Sequence, residues 1–307
     1  MAMKQIKLAL AGATGNVGRE LIRVLEESEL IDCHVAFLAS DRSVGEEIPY
    51  KGIEFPVENI SDYDFKDVQI AIFATPDDVA ATHINRAKRA GAYVIDLSNY
   101  SSHDEAVPLI AQSLNGEQLK QVQQTKILAS PNPQALALAQ VLSPLHRSVG
   151  INRAVVSTYQ ATSAAGKMAM DEVYRQSVAL LGGAGAGSVD VEHFTTQMAF
   201  NVIPHVGAFE ENTYTTVENA IMRDTTRLMN AKFPVSATAA YVPTFIGDSQ
   251  SVNITFDGDM SVDKARGILE AAEGISVLDN PQEGEYSTPF GAAEVGQVFV
   301  SRMRNDP

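Results

Sequence analysis

The sequence predicts an α/β fold in which a doubly wound parallel sheet is followed by an α+β domain. Two observations indicate this. Apolar runs alternate with helical patterns over roughly the first 130 residues, as in parallel β-α-β units. From about residue 133 onward the strands become longer and richer in β-branched residues. The length of 307 residues exceeds the usual size of one hydrophobic core, so we expect two domains, residues 1–132 and 133–307.

The strands predicted for the first domain are short and mostly apolar, as expected for a sheet covered by helices on both faces. Its second helix has clear ends, because Pro76 and two aspartates open it and Gly91 closes it. Strands are predicted at 6–11, 33–40, 53–59, 68–75, 92–98 and 126–130, with helices around 17–25 and over 76–91.

The second predicted domain has longer strands, and we expect its helices on one side of them. This arrangement leaves a sheet face exposed that would suit dimerisation. The segment AGAGSVD (184–190) is expected to be an exposed connection. Strands are predicted at 151–163, 237–245, 250–258 and 297–304, with helices at 133–147, 164–183, 215–230 and 260–274.

Composition excludes several functional classes. The net charge of −15 argues against nucleic acid as a partner, because a phosphate backbone requires a basic surface. No apolar run approaches the roughly 18–20 residues of a membrane span, and we expect no secretory signal before the first strand. The one cysteine, Cys33, excludes an internal disulfide and fits a cytoplasmic location.

The most informative motif is AGATGNVG at residues 11–18. Gly12, Gly15 and Gly18 follow the first strand and open the first helix. Glycines at this spacing allow a tight turn and a close approach to a phosphate, toward which the helix directs its positive N-terminal end. The context of strand, turn and helix predicts a Rossmann-like dinucleotide-binding domain. A tight turn without a ligand is the alternative.

Five segments together resemble the aspartate-semialdehyde dehydrogenase family, and the resemblance is closest to its Usg-1-type paralogues. It implies a Rossmann domain, an α+β catalytic and dimerisation domain, and a homodimer. It also implies the NADPH-dependent reduction of aspartyl phosphate through a cysteine thioester. The segments keep the family's order and are AGATGNVG (11–18), LASDRSVG (38–45), VVSTYQATSAAGKMAMDEV (155–173), AFNVIPHVGAF (199–209) and VPTFIG (242–247).

The second strand is followed by the loop that reads the ribose in dinucleotide-binding folds. An arginine with neighbouring hydroxyls suits a 2′-phosphate, so we expect NADP, although Asp41 is adjacent. An ordinary polar loop is the alternative. Ala164 stands where the family has glycine beside the cofactor. The predicted cofactor-binding residues are Gly12, Thr14, Gly15, Asn16, Val17, Ser40, Arg42, Ser43, Thr75 and Ser163.

The resemblance implies that the catalytic thiol has been lost. The family places this thiol in an N-C-S-T turn, where the helix dipole lowers its pKa. The matching segment here keeps Asn132 but has Pro133 in the position of the thiol. Proline offers no nucleophile, yet it is well tolerated in the first turn of a helix.

The other catalytic groups are also replaced according to the resemblance. Tyr241 stands where the family has its substrate-holding arginine, and Asp248 where it has its acid/base histidine. Gln160 is retained. The family's phosphate-binding arginine falls on Ser102 and a family lysine on Ala220. No catalytic residue is therefore expected to be intact, and joint loss favours abandonment of the reaction.

Few side chains offer a substitute. We expect Cys33 to be a core residue at the start of the second strand. His103 and Asp104 either form a new polar pair near the lost phosphate site or lie in a solvated loop. His193 and His205 lack metal-ligand spacing, so no metal site is expected.

The sequence therefore predicts a homodimer that retains NADP binding and is inactive as a semialdehyde dehydrogenase. Such a protein would act as a sensor, a scaffold or the partner of another protein. The alternative is an NADP-dependent oxidoreductase with a changed carbonyl substrate and no thioester, using Tyr241, Asp248 and Gln160. Semialdehyde dehydrogenase activity by another route is a third hypothesis. We also expect the family's C-terminal helix to be absent or to lie beyond this sequence.

Overall fold

The computed structural model describes residues 6–28, 33–185, 187–293 and 295–306. The chain forms two compact units, Met1–Pro131 and Asn132–Pro307. The side chain of Cys33 lies outside the described part, so its expected core position stays a prediction. Within the described residues, no helix combines the length and the apolar character that crossing a membrane requires.

The first unit is built around one sheet of seven strands. Its helices are α1 (Asn16–Glu27), α2 (Asp77–Arg89), α3 (Gln112–Asn115) and α4 (Val122–Thr125), with 3₁₀ turns at Asp41–Ser43, Ser101–His103 and Gly116–Gln121. Its strands are β1 (Ile6–Ala11), β2 (Cys33–Ala39), β3 (Glu47–Tyr50), β4 (Ile53–Asn59), β5 (Ile70–Phe73), β6 (Tyr93–Asp96) and β7 (Ile127–Ala129).

The strand order β3-β4-β2-β1-β5-β6-β7 confirms the predicted doubly wound sheet. All neighbours pair in parallel except β3 and β4, which form an antiparallel hairpin at one edge. The chain moves outward from β1 through β2 to β4 and then returns to β5 on the other side. The order thus reverses between β1 and β5, and the carboxyl ends of such strands border the usual ligand crevice of these sheets.

The second unit is the predicted α+β domain. Its strands are β8 (Ile151–Gln160), β9 (Val235–Tyr241), β10 (Ser249–Phe256), β11 (Ile275–Val277), β12 (Asp279–Asn280), β13 (Glu285–Tyr286) and β14 (Val298–Val300). Its helices are α5 (Pro133–Val149), α6 (Lys167–Leu181), α7 (Thr216–Met229), α8 (Val262–Glu270) and α9 (Pro289–Ala292), with a 3₁₀ turn at Thr162–Ala165.

A three-stranded sheet in the order β10-β8-β9 forms the centre of this unit. One face carries Ala154 and Val156, which pack into a core with Leu138 and Leu142 of α5 and Ile221 of α7. The described part of the 184–190 segment is mostly exposed, as predicted.

Several predicted boundaries in this unit were wrong. The strands expected over 237–245 and 297–304 end at Tyr241 and Val300. The strand expected over 151–163 ends at Gln160, because the chain turns through Thr162–Ala165. The following helix begins at Lys167, after Gly166 adopts a φ of 95° that favours glycine.

The buried carboxylate of Asp279 holds the C-terminal residues of the second unit in place. The side chain of Asp279 is inaccessible to solvent and accepts a 2.7 Å hydrogen bond from Nη2 of Arg266. The backbone N–H groups of Arg302 and Met303 also donate to it, at 2.7 and 3.2 Å. Burial alone would raise the pKa of Asp279, but these donors together with the charge of Arg266 lower it overall.

We expect Asp279→Asn to lower the free energy of unfolding at pH 7 by about 2 kcal/mol, the value of hydrogen bonds to a charged acceptor. The lowered pKa means that this stabilisation is present above the unfolded pKa of about 4 and is lost as pH falls through the folded value. Urea unfolding at pH 7 and at pH 3 measures this, with the exposed Asp259→Asn as control. An equal loss at both pH values would contradict the assigned role.

Candidate functional site

The glycine turn lies at the point where the strand order reverses. Gly12 follows β1 with a φ of 85°, and a Cβ built on it would lie 2.1 Å from the carbonyl oxygen of Ala74. A Cβ on Gly18 would lie 2.1 Å from the carbonyl oxygen of Gly12. Both contacts exclude any side chain, so these two glycines allow the backbone to pass close to the end of β5 and α1 to begin against the turn.

The start of α1 fits a phosphate group. Its N-cap is Gly15, and no described side chain caps the helix, so the positive end of the dipole remains available to an anion. Near the turn, the buried hydroxyl of Thr75 has no hydrogen-bond partner among the described residues. A glycine cradle, an uncapped helix start and an unpaired hydroxyl are what a dinucleotide site requires.

The loop after β2 adjoins this turn. Ser43 Oγ lies 3.4 Å from Oγ1 of Thr14, which connects the two predicted cofactor segments. Asp41 accepts a 3.4 Å hydrogen bond from Nδ2 of Asn59. Arg42 and Ser40 are exposed. Asp41, the acidic residue beside the predicted NADP-binding arginine, is therefore hydrogen-bonded to Asn59.

The turn that would carry the thiol is well built but holds no reactive group. Asn132 caps α5, because its Oδ1 accepts from the N–H groups of Gln134 at 2.9 Å and Ala135 at 3.4 Å. The N–H of Asn132 donates to Oδ2 of the buried Asp224 at 2.9 Å. Pro133 occupies the first position of the helix and is exposed.

A hydrogen-bond network surrounds Asp248, which stands where the family has its histidine. Its Oδ2 accepts from Nε2 of Gln134 at 2.5 Å, and its Oδ1 accepts from the N–H of Ala161 at 2.7 Å. Oε1 of Gln134 accepts in turn from Nε2 of Gln250 at 2.9 Å. Nε2 of Gln250 also donates to the backbone carbonyl oxygen of Gln134 at 2.8 Å, and these contacts fix the orientation of both glutamine amides. We call these four groups the Asp248 network.

The charge of Asp248 is only partly desolvated. More than a third of the residue is exposed, but its carboxyl end faces protein atoms, and this burial raises its pKa despite hydrogen bonds from Ala161 and Gln134. The pKa of the Tyr241 phenol is also raised, by burial first and then by the negative charge of Asp248. No cationic side chain of the described residues is among the causes of either shift.

The ring of Tyr241 packs in a hydrophobic cluster. Its ring meets the edge of Phe194 at a centroid distance of 5.3 Å, within a cluster that includes Met198 and Ile203. The buried Gln160 donates its amide to Oγ1 of Thr158 at 3.1 Å. Gln160 pairs with Tyr241 between β8 and β9, and the next residue, Ala161, binds Asp248, so the structure brings these three predicted residues close together.

Ser102 and Ala220, at which the resemblance predicts the loss of two cations, are inward-facing neutral residues. Ser102 is 1% exposed and its hydroxyl donates to the carbonyl oxygen of Asn99 at 2.8 Å. Ala220 is likewise 1% exposed, inside α7. His103 and Asp104 are both exposed, which fits a solvated loop.

His193, whose sequence spacing predicted no metal site, has two carboxylates near it in the structure. Potential ligand atoms of Glu172, Glu192 and His193 lie within 4.8 Å of one another. However, Oε2 of the buried Glu172 accepts the N–H groups of His193 and Glu192, and Glu192 also pairs with Arg175. The group therefore fastens the 190–193 segment to α6. His205 stacks on Phe209 at 4.5 Å, in line with a structural role.

Comparison with known proteins agrees with this architecture. The family model "Semialdehyde dehydrogenase, NAD binding domain" matches residues 7–122, and "Semialdehyde dehydrogenase, dimerisation domain" matches residues 142–307. The aspartate-semialdehyde dehydrogenase of Aquifex aeolicus is 35% identical over 302 residues, covering 98% of this chain and 88% of that protein. The Rickettsia conorii protein of the same name is 36% identical, covering 99% and 89%.

The chain belongs to the aspartate-semialdehyde dehydrogenase family.

A solved member of the family has the same architecture. The crystal structure of aspartate semialdehyde dehydrogenase II complexed with ASA from Vibrio cholerae superposes with a TM-score of 0.92. It is 31% identical and covers 99% of this chain and 89% of that one. Within the aspartate-semialdehyde dehydrogenase family, the first unit is thus the nicotinamide-nucleotide-binding domain and the second the dimerisation domain. The family and fold predictions are confirmed.

Three residues of this chain's candidate site were not predicted from the sequence. Asp224 lies among the buried positions of α7, where an acidic residue at helical spacing with Ala220 and Ile221 was a usable signal. Gln134 and Gln250 carried no such signal, because their partners lie more than 100 positions away along the chain.

We expect Asp248→Asn to destabilise the protein by about 1 kcal/mol, because its amide would place a donor against the donor of Gln134. Gln134→Glu alone should also destabilise, since it places two carboxylates together. The double variant restores one donor and one acceptor at each contact, so its stability should recover in a urea-unfolding double-mutant cycle. Strictly additive losses would show that the Asp248 network does not form.

Proposed function

We propose that this chain is a Usg-1-type member of the family that binds NADP(H) as a cytoplasmic homodimer and does not catalyse the thioester reaction. The observation that carries the proposal is Pro133 at the first position of an otherwise well-formed α5 turn. The thioester route needs a thiolate at that turn. The chain's single cysteine, Cys33, begins β2 in the other unit.

The residues around that turn support the same conclusion. An acid/base catalyst must be able to exchange a proton with the reacting group, but both carboxylate oxygens of Asp248 already accept hydrogen bonds. An acyl phosphate or a carboxylate substrate needs a cation, and Tyr241 instead contributes its ring to a hydrophobic cluster. These substitutions remove nucleophile, base and anion recognition together.

The residues of the first unit support cofactor binding, in contrast to the residues that would be needed for catalysis. Gly12, Gly18 and the uncapped start of α1 suit a pyrophosphate, and a bound nicotinamide would supply hydride chemistry. Arg42 and Ser43 stand where a 2′-phosphate would lie, while Asp41 is held by Asn59. These features favour NADP over NAD. The remaining predicted contacts, including Ser163, belong to this proposal.

We expect calorimetric titration to show tighter binding of NADPH than of NADH. Arg42→Ala should weaken NADPH binding about tenfold, the loss of one charge-assisted hydrogen bond, and leave NADH binding unchanged. The exposed Arg89→Ala, at the far end of α2, is the matched control. Absence of heat with either cofactor would contradict the cofactor part of the proposal.

An activity assay tests the catalytic part. With NADP, inorganic phosphate and aspartate semialdehyde, we expect no NADPH formation above the blank, because no thiol can capture the aldehyde. A panel of aldehydes and ketones with NADPH tests the alternative of a changed carbonyl substrate. Turnover in the first assay would refute the proposed loss of the family reaction. Turnover only in the second would establish the alternative.

The homodimer is supported by an apolar stripe in the dimerisation domain. Tyr174, Val178 and Leu181 fall on one side of α6, and each is more than half exposed in the single chain. A second copy of the chain would cover such a stripe. Binding of another protein at this surface is the less supported reading, because the match to the dimerisation domain covers this helix.

We expect Leu181→Glu with Val178→Glu to convert the dimer into a monomer, because both place charge inside an apolar contact. Light scattering coupled to gel filtration measures the mass. Val24→Glu, at an equally exposed position on α1 of the other unit, should leave the dimer intact. A parent protein that is monomeric at all concentrations would contradict the homodimer.

A further inference from the structure

Strand β4 ends beside the loop that follows β2, and the last residue of β4 is Asn59. The two strands pair in parallel with Ala39 opposite Asn59, so both end at the same edge of the sheet. The N–H of Ile60 donates to the carbonyl oxygen of Ala39 at 3.0 Å and keeps the two strand ends together. Asn59 therefore lies next to residues 40–43, three of which are predicted to bind the cofactor.

The side chain of Asn59 is oriented by the turn that it begins. Its Oδ1 accepts a hydrogen bond from the N–H of Ser61 at 2.9 Å. Its carbonyl oxygen accepts from the N–H groups of Asp62 and Tyr63 at 3.2 and 3.1 Å. Arg86 of α2 holds this turn, because its Nη2 donates to the carbonyl oxygen of Tyr63 at 3.0 Å. Since Oδ1 serves as an acceptor here, the amide nitrogen faces away from the turn.

The amide nitrogen of Asn59 faces the carboxylate of Asp41. Nδ2 donates to Oδ1 of Asp41 over 3.4 Å, a long hydrogen bond. Asp41 is exposed, so this contact orients the carboxylate without removing it from water. In the described part of the chain, no ion pair joins Asp41 to the adjacent Arg42, which is also exposed. Arg42 therefore keeps its charge for a ligand.

Asp41 and Arg42 favour different cofactors. In dinucleotide-binding folds an acidic residue in this region accepts the ribose 2′-hydroxyl of NAD, whereas an arginine accommodates the 2′-phosphate of NADP. A free carboxylate beside the arginine would repel the 2′-phosphate and compete with it for the guanidinium. The cofactor preference therefore depends on where the carboxylate of Asp41 is held.

We propose that Asn59 is a positioning residue that sets the cofactor preference of the first unit. It holds Asp41 toward β4 and leaves Arg42 available to the 2′-phosphate. This inference rests on the proposed binding of NADP(H) and adds the residue that determines the choice between the two cofactors. The effect of Asn59 is exerted through Asp41, so it disappears when Asp41 carries no charge.

Calorimetric titration of the full chain with NADPH and with NADH measures the ratio of the two dissociation constants. Asn59→Ala should lower the preference for NADPH about fivefold, the value of an exposed charge contact. NADPH binding should weaken, because the released carboxylate of Asp41 opposes the 2′-phosphate, and NADH binding should not weaken. The exposed Asn85→Ala on α2 is the matched control and should leave the ratio unchanged.

A second background separates positioning of Asp41 from a structural effect on the turn. In Asp41→Asn no carboxylate remains to be held, so adding Asn59→Ala should leave the preference for NADPH unchanged. A purely structural role would weaken both cofactors alike in either background. Asn59→Asp keeps the acceptor for the N–H of Ser61 and removes the donor to Asp41, so it should lower the preference at least as much as Asn59→Ala.

The outcomes distinguish the role of Asn59 from NADP(H) binding itself. An unchanged ratio in Asn59→Ala, or an equal change in the Asp41→Asn background, would overturn the role of Asn59 and leave the proposed NADP(H) binding intact. A parent protein that binds neither cofactor, or that binds NADH more tightly than NADPH, would overturn both.

Discussion

The carboxylate of Asp248 is the group on which the remodelled second unit depends. It lies between the amide of Gln134 at the start of α5 and the N–H of Ala161 after β8, and Gln250 of β10 extends the chain of hydrogen bonds. Three segments of the second unit are thereby bound to one another. A group engaged in this way stabilises a turn more readily than it transfers a proton.

The two units illustrate how differently binding and chemistry are constrained. In the first, Gly12 and Gly18 are dictated by backbone approach, because any side chain would collide with Ala74 or with the turn itself. In the second, the cap of Asn132 and its hydrogen bond to Asp224 hold the α5 turn. These contacts do not depend on whether the first helical residue is a cysteine or Pro133. The α5 turn is therefore well formed with a proline at its first helical position.

Much of the fold followed from local sequence patterns. Glycine spacing identified the nucleotide-binding turn, and Pro76 with its aspartates located α2. β3 was missed, because its four residues include a proline and are too few for their alternation to stand out in the sequence. The Asp248 network was missed for another reason. Its donors and acceptors are polar residues far apart in sequence, and only tertiary structure pairs them.

Sequence patterns were equally limited in predicting the surroundings of the site residues. Sequence resemblance pointed to Pro133, Tyr241 and Asp248, but it did not predict the aromatic contact between Tyr241 and Phe194. Whether a replaced residue faces a ligand or packs into a core depends on its neighbours in space. A tyrosine is compatible with both, so its identity alone could not decide.

The central claim is that this chain has no nucleophile for acyl capture. Intact-protein mass spectrometry after incubation with NADP and aspartate semialdehyde, without phosphate, examines this directly, because a thioester formed under these conditions persists as added mass. The account predicts only the unmodified 33.0 kDa chain. An NADP-dependent mass increase of one acyl group, at any residue, would contradict it.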